Sequence, residues 1–424
     1  MSHILVKRIK GTNDIFNDEL KYWYHIERIF REIARRYNYS EMRTPIFEAT
    51  ELFIRGVGKE TDVVQKQMYT FEDRGGRSIT LRPEGTAPVI RAFLENDLST
   101  GGLPKKFYYM GPIFRYEKPQ AGRMRQFHQY GVELIGSSDP VADFETIKFA
   151  IDFLNAVGLR DYELRIGSIG CGKCRKEYKS ALRKYYSDKY DQLCEDCKRR
   201  FNTNILRLLD CKIDAELAKS APETTDYLCD ECAEHFKKLR IYLDSLGIDY
   251  VVDGHLVRGL DYYTRTVFEI KHSSLGAQDT LIGGGRYDGL VEELGGRPTP
   301  SVGFAGGFER LILVLKQENI KIKDLPRCQV YIATVGEKAR MYGLKLAENL
   351  RLKDISVDMD LMGRNLRNQL KHANRINARY SIILGDEELA REIAIFRDMD
   401  SGEQTEVDLD WMENYIAEKI KEGD

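Results

Sequence analysis

Hydrophobic positions recur along the chain at two spacings, and the change from one to the other marks out the elements. From Asp18 to Tyr37 apolar side chains fall at Leu20, Trp23, Ile26, Phe30 and Ile33, the spacing of one buried helical face. The run MRTPIFEA then reads as a strand, with Pro45 pointing to a sheet edge or an interface. Strand-like runs follow at SITLRPEG, FYYMGPIFRYE, QFHQYGVELIG and TVFEIKH, each with branched or aromatic residues. Between about Cys171 and Gly247 the pattern turns helical and rich in lysine and cysteine, as in an insertion. A helix is expected from Gly307 to about Glu318, then a polar linker, KIKDLPR. Beyond it CQVYIATV, a helix from Lys338, ISVDMDL, a second helix and YSIILG alternate as β-α-β-α-β. That order predicts a small α/β domain with a largely parallel sheet. The expected division is 1–325, interrupted at about 171–247, and 326–424.

Composition sets limits on this picture. A chain of 424 residues, 42% hydrophobic and 31% charged, suits a soluble globular protein of two or three domains. No apolar run approaches the roughly 18 residues that cross a bilayer. The start, MSHILVKRIKGTND, lacks the apolar stretch and cleavage site of a signal peptide. A cytoplasmic location with no membrane partner is the expectation. A net charge of −2 argues against a globally basic nucleic-acid binder but leaves room for local stripes.

The richest chemistry lies between Phe107 and Gly136. Two strands joined by the basic loop KPQAGRMR predict an antiparallel hairpin whose tip closes over an anion. Residues two apart share a strand face, so Arg115 and Glu117 point one way, and on the return Phe127, Gln129, Gly131 and Glu133 do. If the two sets coincide, a cation, two carboxylates, an amide and a ring share one face. Such a set is costly in a core unless paired. A ligand with its own charges and ring explains it; a solvated hairpin with scattered ion pairs is the alternative.

Four further segments carry candidate chemistry. TLRPEGTAPVIRA puts Glu84, Gly85 and Thr86 in a tight turn, where a carboxylate and a hydroxyl suit either an ammonium group or a helix cap. LVRGLDYYTRTVFEI sets Arg258 beside a glycine that admits a ligand to the backbone. Tyr262 and Tyr263 there suit a pocket wall or core packing. LIGGGRYDGL brings Tyr287 after a glycine cluster, a weak signal alone. In SVGFAGGFERLIL, Arg310 sits just inside a helix, where its planar fork suits a phosphate, or else an ordinary helix surface.

Taken in order, these segments resemble the signatures of class II aminoacyl-tRNA synthetases, and specifically of the histidyl-tRNA synthetase family. The resemblance runs from KGTNDIF to the C-terminal domain. Helix 18–37 with TPIFEA is similar to the first class II motif, whose proline lies at a dimer interface. The hairpin is similar to the second motif and GFAGGFERL to the third, while LVRGLDYYT and GGGRYDGL resemble signatures of the histidine enzymes. The resemblance implies an α+β catalytic domain on an antiparallel sheet with flanking helices, a helical insertion, and a C-terminal α/β anticodon-binding domain. It implies a homodimer and an ATP-dependent ligase: L-histidine and ATP, with Mg²⁺, give histidyl-adenylate and pyrophosphate, and histidine passes to the 3′ end of tRNA(His).

By motif, the resemblance assigns Arg115 to the α-phosphate and the histidine carboxylate, Glu117 to the adenine amino group and Phe127 to the adenine ring. Arg123 and Arg310 would grip the far phosphates. Glu84 and Thr86 would face the α-ammonium with Gln129 nearby, and Glu133 and Tyr263 would address the imidazole. Tyr262 and Tyr287 would line the pocket, and Arg258 would stabilise charge on the α-phosphate. The regulatory subunit of ATP phosphoribosyltransferase resembles the same domain. It characteristically lacks the C-terminal domain and tends to lose the catalytic arginine, both kept here. A zinc-dependent RNA-binding protein without catalysis would leave Arg115 and Arg310 unexplained.

Two features stand outside that core. In LMGRNLRNQLKHANRINARYSIILG, Arg364, Arg367, Lys371, Arg375 and Arg379 step by three or four, a spacing that lines most of them along one helical face. A solvated face is the plain reading; the family's anticodon-binding domain favours tRNA contact. Cys171/Cys174, Cys194/Cys197 and Cys229/Cys232 form three C-x-x-C pairs, with Cys211 between the last two. The spacing suits a structural zinc, and a cytoplasmic setting argues against disulfides. Reduced thiols packed among helices are the alternative, and the spacing does not say which four sulfurs would bind.

Overall fold

The computed structural model describes residues 5–120 and 122–422. Two compact units divide the chain, Met1–Lys323 and Asp324–Asp424. The first is built on an eight-stranded sheet. Its spatial order is Ser40–Glu41, Lys105–Phe114, Gln126–Ile135, Ser301–Gly307, Thr280–Arg286, Thr264–Lys271, Glu163–Ser168 and Val251–Val252. The six inner strands pair antiparallel, and only the two short edge strands pair parallel. This is the antiparallel sheet with flanking helices that the resemblance implies.

One face of the sheet is a packed core. Tyr108, Tyr130, Val132, Phe304, Ile282 and Phe268 project from successive strands against the helices Leu20–Arg36, Pro140–Ala156 and Phe308–Gln317. The first helix buries Trp23, Ile26, Phe30 and Ile33, as its periodicity predicts. Phe30 lies with its ring centroid 4.9 Å from Phe153 and 5.2 Å from Tyr130. Its full burial contributes roughly 1.5–3 kcal/mol.

The structure departs from expectation at MRTPIFEA, where only Phe47–Ala49 is strand. Pro45 has no N–H to give to a ladder, and at Ile46 the carbonyl accepts instead from the Arg82 amide at 2.9 Å. The short strand joins Ser78–Leu81 and Tyr69–Glu72 in a separate three-stranded sheet.

The cysteine-rich stretch holds the helices Gly172–Ser187, Glu195–Thr203, Ala215–Lys219 and Asp230–Ser245. The last is not peripheral: Phe236, Leu239 and Leu243 belong to the main core.

In the second unit the strands run Val357–Met359, Val330–Val335, Tyr380–Gly385, Ile393–Asp398, Gln404–Asp408. The first three are parallel, as the alternating pattern predicts, and the last two add an antiparallel hairpin the sequence reading did not include.

Candidate active site

The register of the long hairpin answers the question its sequence poses. Phe127 lies opposite Ile113, Gln129 opposite Gly111 and Glu133 opposite Phe107. The Arg115 amide extends the pairing by donating to the Arg125 carbonyl at 2.9 Å. Strand alternation therefore carries Arg115 to the face of Phe127, Gln129 and Glu133. Across the next two strands this face carries Gly303, Gly307, Gly283 and Gly285 where the other carries rings. A Cβ on Gly283 would overlap the Arg258 guanidinium, and one on Gly303 the Glu133 carboxylate. The glycines leave a cavity of about 200 Å³ over the sheet.

Three guanidiniums line one end of the cavity: Arg115, Arg123 and Arg310. Arg115 donates from Nε to the Pro83 carbonyl at 2.8 Å and sits 5.5 Å from the centre of the Phe127 ring. Arg123 forms an ion pair with Glu117, so in this structure the carboxylate assigned to adenine is engaged with the hairpin loop. Arg310, in the first turn of its helix, donates to the carbonyls of Gly122 at 3.1 Å and Thr280 at 3.0 Å. Burial pulls the pKa of Arg310 down, and repulsion from Arg123 and Arg115 adds to it. Burial likewise lowers Arg115. Cations that oppose one another in this way are stabilised by an incoming polyanion.

The other end is lined by carboxylates, hydroxyls and rings. Glu84 accepts from the amides of Thr86 at 2.7 Å and Ala87 at 2.8 Å, capping the helix Thr86–Glu95. It lines the cavity as well. Burial raises its pKa despite the two amides. Gly85 presses on the ring of Tyr109, which leaves no room for a side chain. Gln129 has a buried Oε1 with no hydrogen-bond partner among the described residues. Such an acceptor costs about 1–3 kcal/mol until a ligand donates to it. Tyr262 packs against Tyr263 at 4.7 Å and Tyr287 at 5.5 Å between ring centroids.

Glu133 is placed differently from the rest. It is fully buried and does not line the cavity; it accepts from Thr86 Oγ1 at 2.7 Å and from the Tyr287 hydroxyl. Burial pushes its pKa up to about 8. Arg258 reaches the cavity from its loop and is held by an ion pair with Glu269 on the sheet. Burial lowers its pKa, but Glu269, Tyr263 and Asp210 together more than offset that and raise it.

Three supporting residues were not singled out by sequence reasoning. Arg286 is fully buried, its Nη2 2.5 Å from Asp143 and its Nη1 2.7 Å from the Ser137 carbonyl. Asp143 is held down to about 2 against its own burial by Arg286 and the adjacent His235. Glu309 lines the cavity and accepts from the His128 amide at 3.0 Å. For Arg286 the signal was available: an arginine inside an apolar strand needs a buried anion.

The seven cysteines of the insertion gather in two groups, Cys171, Cys174, Cys229, Cys232 and Cys194, Cys197, Cys211, Asp214. The basic run in the second unit is only partly helical. Its helix spans Leu366–Arg375, so Arg364 and Arg379 lie outside it, and Arg364 pairs with Asp360 at 3.1 Å. Arg367, Lys371 and Arg375 remain, four apart and exposed. Asn365 starts the helix with a side-chain cap, and the chain must leave it before the strand at Tyr380.

An antiparallel sheet with helices on its apolar face and an arginine-lined cleft on its glycine face is the class II aminoacyl-tRNA synthetase fold. The profile described as histidyl-tRNA synthetase matches residues 11–311, and that described as anticodon binding domain matches residues 329–419. The chain belongs to the histidyl-tRNA synthetase family. It is 58% identical over 414 residues to the histidine–tRNA ligase of Thermotoga sp. (strain RQ2), covering 98% of this chain and 99% of that protein. Identity to the histidine–tRNA ligase of Caldanaerobacter subterraneus subsp. tengcongensis is 48% over 415 residues, 97% of this chain and 100% of that protein. Among solved structures, the apo S. aureus histidyl-tRNA synthetase matches with a TM-score of 0.82 at 38% identity, over 97% of this chain and 100% of that one. An ATP phosphoribosyltransferase regulatory subunit/histidyl-tRNA synthetase from Bacillus halodurans C matches at 0.65 and 24%, over 91% of this chain and 99% of that one, a likeness of fold alone.

Proposed function

We propose that the cleft joins L-histidine to ATP and passes the product to tRNA(His), as a histidine–tRNA ligase. The observation that carries this is the polarity of the cleft. Three mutually repelling guanidiniums stand at one end, and an unpartnered amide oxygen among carboxylates and tyrosines at the other. A triphosphate suits the first end, and an amino acid with an ammonium and a ring suits the second.

In the first step the histidine carboxylate attacks the α-phosphorus and pyrophosphate leaves. Arg115 and Arg258 would take up charge on the α-phosphoryl oxygens, and Arg123 and Arg310 would hold the departing phosphates. Phe127 would stack on adenine, with Glu117 accepting from its amino group once released from Arg123. In-line transfer needs position and preorganised charge rather than covalent help. Mg²⁺ would travel with ATP and neutralise its phosphates. The cavity carboxylate Glu309 is a hard oxygen donor of the type it takes, which fits such a group. In the second step a tRNA 3′-terminal hydroxyl attacks the adenylate carbonyl and AMP leaves.

Glu84 and Gln129 would receive the α-ammonium. Tyr263, with the hydroxyls of Thr86 and Tyr287, would meet the imidazole, and Glu133 would act through those two hydroxyls as a positioning residue. A pocket that hydrogen-bonds the ring rejects apolar rivals, which would leave its polar groups unpaired.

Arg367, Lys371 and Arg375 would contact tRNA phosphates. Among the described residues no helix is long and apolar enough to cross a membrane, and a cytoplasmic location suits the reaction. A homodimer would cover the outer face of the three-stranded sheet, where Ile46, Phe47 and Phe71 are exposed. The cysteines would hold zinc for structure and take no part in catalysis.

ATP–pyrophosphate exchange with a panel of amino acids tests the reading. Exchange that depends on histidine alone is expected, and none with any amino acid would return the regulatory-subunit reading.

A further inference from the structure

We propose that the insertion binds two zinc ions, and that they pin it against the loop carrying Arg258 and Tyr263. The second half rests on the ligase reading of the cleft. The first half does not.

Each group of four offers ligand atoms within 4.8 Å of one another. Cys171 Sγ lies 3.7 Å from Cys174 Sγ and 3.9 Å from Cys229 Sγ, and Cys194 Sγ lies 3.8 Å from Cys211 Sγ. Thiolates on one tetrahedral ion with bonds of about 2.3 Å stand about 3.8 Å apart, whereas a disulfide closes to about 2.0 Å. Each group is complete with four ligands: four thiolates in the first, and three thiolates with the Asp214 carboxylate in the second. No cysteine of the insertion is left over. That is a structural composition, with no position open for a substrate.

The local geometry supports the same reading. The first cysteine of every C-x-x-C pair is the residue immediately before a helix, and the second lies in its first turn. Cys174 Sγ accepts from the Cys229 amide at 3.1 Å. Asp214 accepts from the Cys194 amide at 3.1 Å, which orients the carboxylate. Gly170, at φ 64°, leaves space that Cys174 fills, so no side chain fits before the first pair.

The two sites close different parts of the chain. The all-cysteine site ties the exit from the catalytic strand Glu163–Ser168 to the start of the returning helix Asp230–Ser245. The site with Asp214 ties the helix Glu195–Thr203 to the turn at Cys211, around a small cluster that includes Leu193, Ile205 and Leu208. An inserted segment with so small a core needs such staples.

From this stapled segment three side chains reach the catalytic loop. Arg207 donates to the Arg258 carbonyl at 3.1 Å, Asn204 to Asp261 Oδ1 at 2.9 Å, and Arg175 to the Tyr263 carbonyl at 3.2 Å. Arg200 and Arg207 also meet Asp62. Arg207 and Asn204 are therefore positioning residues for Arg258, and zinc fixes where they stand.

Metal analysis of the full-length protein, purified without chelator, should find two zinc ions per chain. Cys229→Ser and Cys211→Ser should each lose one and keep the other. No zinc, a single zinc or iron in its place overturns the two-site assignment. Asn204→Ala and Arg207→Ala should keep both ions and leave the KM for histidine near its wild-type value, yet lower the kcat of exchange by roughly tenfold or more, with Arg207→Lys recovering part. Kinetics unchanged in both variants overturns the positioning role. If the wild type shows no histidine-dependent exchange, the ligase reading fails while the zinc count still stands or falls alone.

Discussion

Thr86 donates its hydroxyl hydrogen to Glu133 across 2.7 Å, and both side chains are buried beneath the tyrosine-lined end of the cleft. The Tyr287 hydroxyl donates to the other oxygen of the same carboxylate. One acidic group thus sets the direction of two hydroxyls that line the cavity.

Glu133 should make stability depend on pH. Burial lifts its pKa from 4.5 to about 8. Between those values the folded chain holds a proton that the unfolded chain has released. The contribution is complete below pH 4.5 and is lost as pH rises through about 8. Urea midpoints should fall with rising pH in the wild type and fall less steeply in Glu133→Gln. Equal slopes would contradict the assignment.

Arg258→Ala should reduce histidine-dependent exchange by roughly 10²–10³-fold while calorimetry still detects histidine binding. Gly283→Ala should reproduce part of that loss without removing a charged group, because its Cβ takes the place of the guanidinium. An alanine variant of Gly283 with normal exchange would show that the arginine is free to move.

Arg286 and Asp143 are a buried ion pair, and removing one partner strands the other. Arg286→Met should cost about 3–5 kcal/mol in denaturant titrations, and Arg286→Met with Asp143→Leu should recover much of it. Asp143 has its pKa depressed from 3.8 to about 2, so the stability it contributes is present above pH 3.8 and is lost as pH falls through about 2. Acid titration of the wild type and the double variant reads this directly.

Replacing Arg367, Lys371 or Arg375 with alanine should weaken tRNA binding and reduce its salt dependence by about one counterion each. Arg364→Ala should change the slope less, since its partner is Asp360. A salt-independent affinity would remove this helix from the tRNA contact.

The strand signals at FYYMGPIF and QFHQYGVELI correspond to the long hairpin, and the parity of Arg115 with Phe127, Gln129 and Glu133 follows from alternation alone. Those features are local, and local periodicity reports them. MRTPIFEA does supply a strand at a sheet edge, but only from Phe47, after the proline whose missing N–H cannot join a ladder. Glu133 was legible as a polar residue on the site face. Its retreat behind Thr86 and Tyr287 was not, because those partners come from a turn and a strand distant in sequence.

The amino-acid sequence by itself determined the reaction family, the sheet and the kinds of group on the cleft face, because motif residues and alternating strands are written in adjacent positions. Only the tertiary structure decided which side chains gather in each group of four, that Arg286 answers Asp143, and that Arg207 and Asn204 of the insertion bond to the loop of Arg258. Each of those depends on distances between residues far apart in the chain, which close only when the sheet and its helices pack.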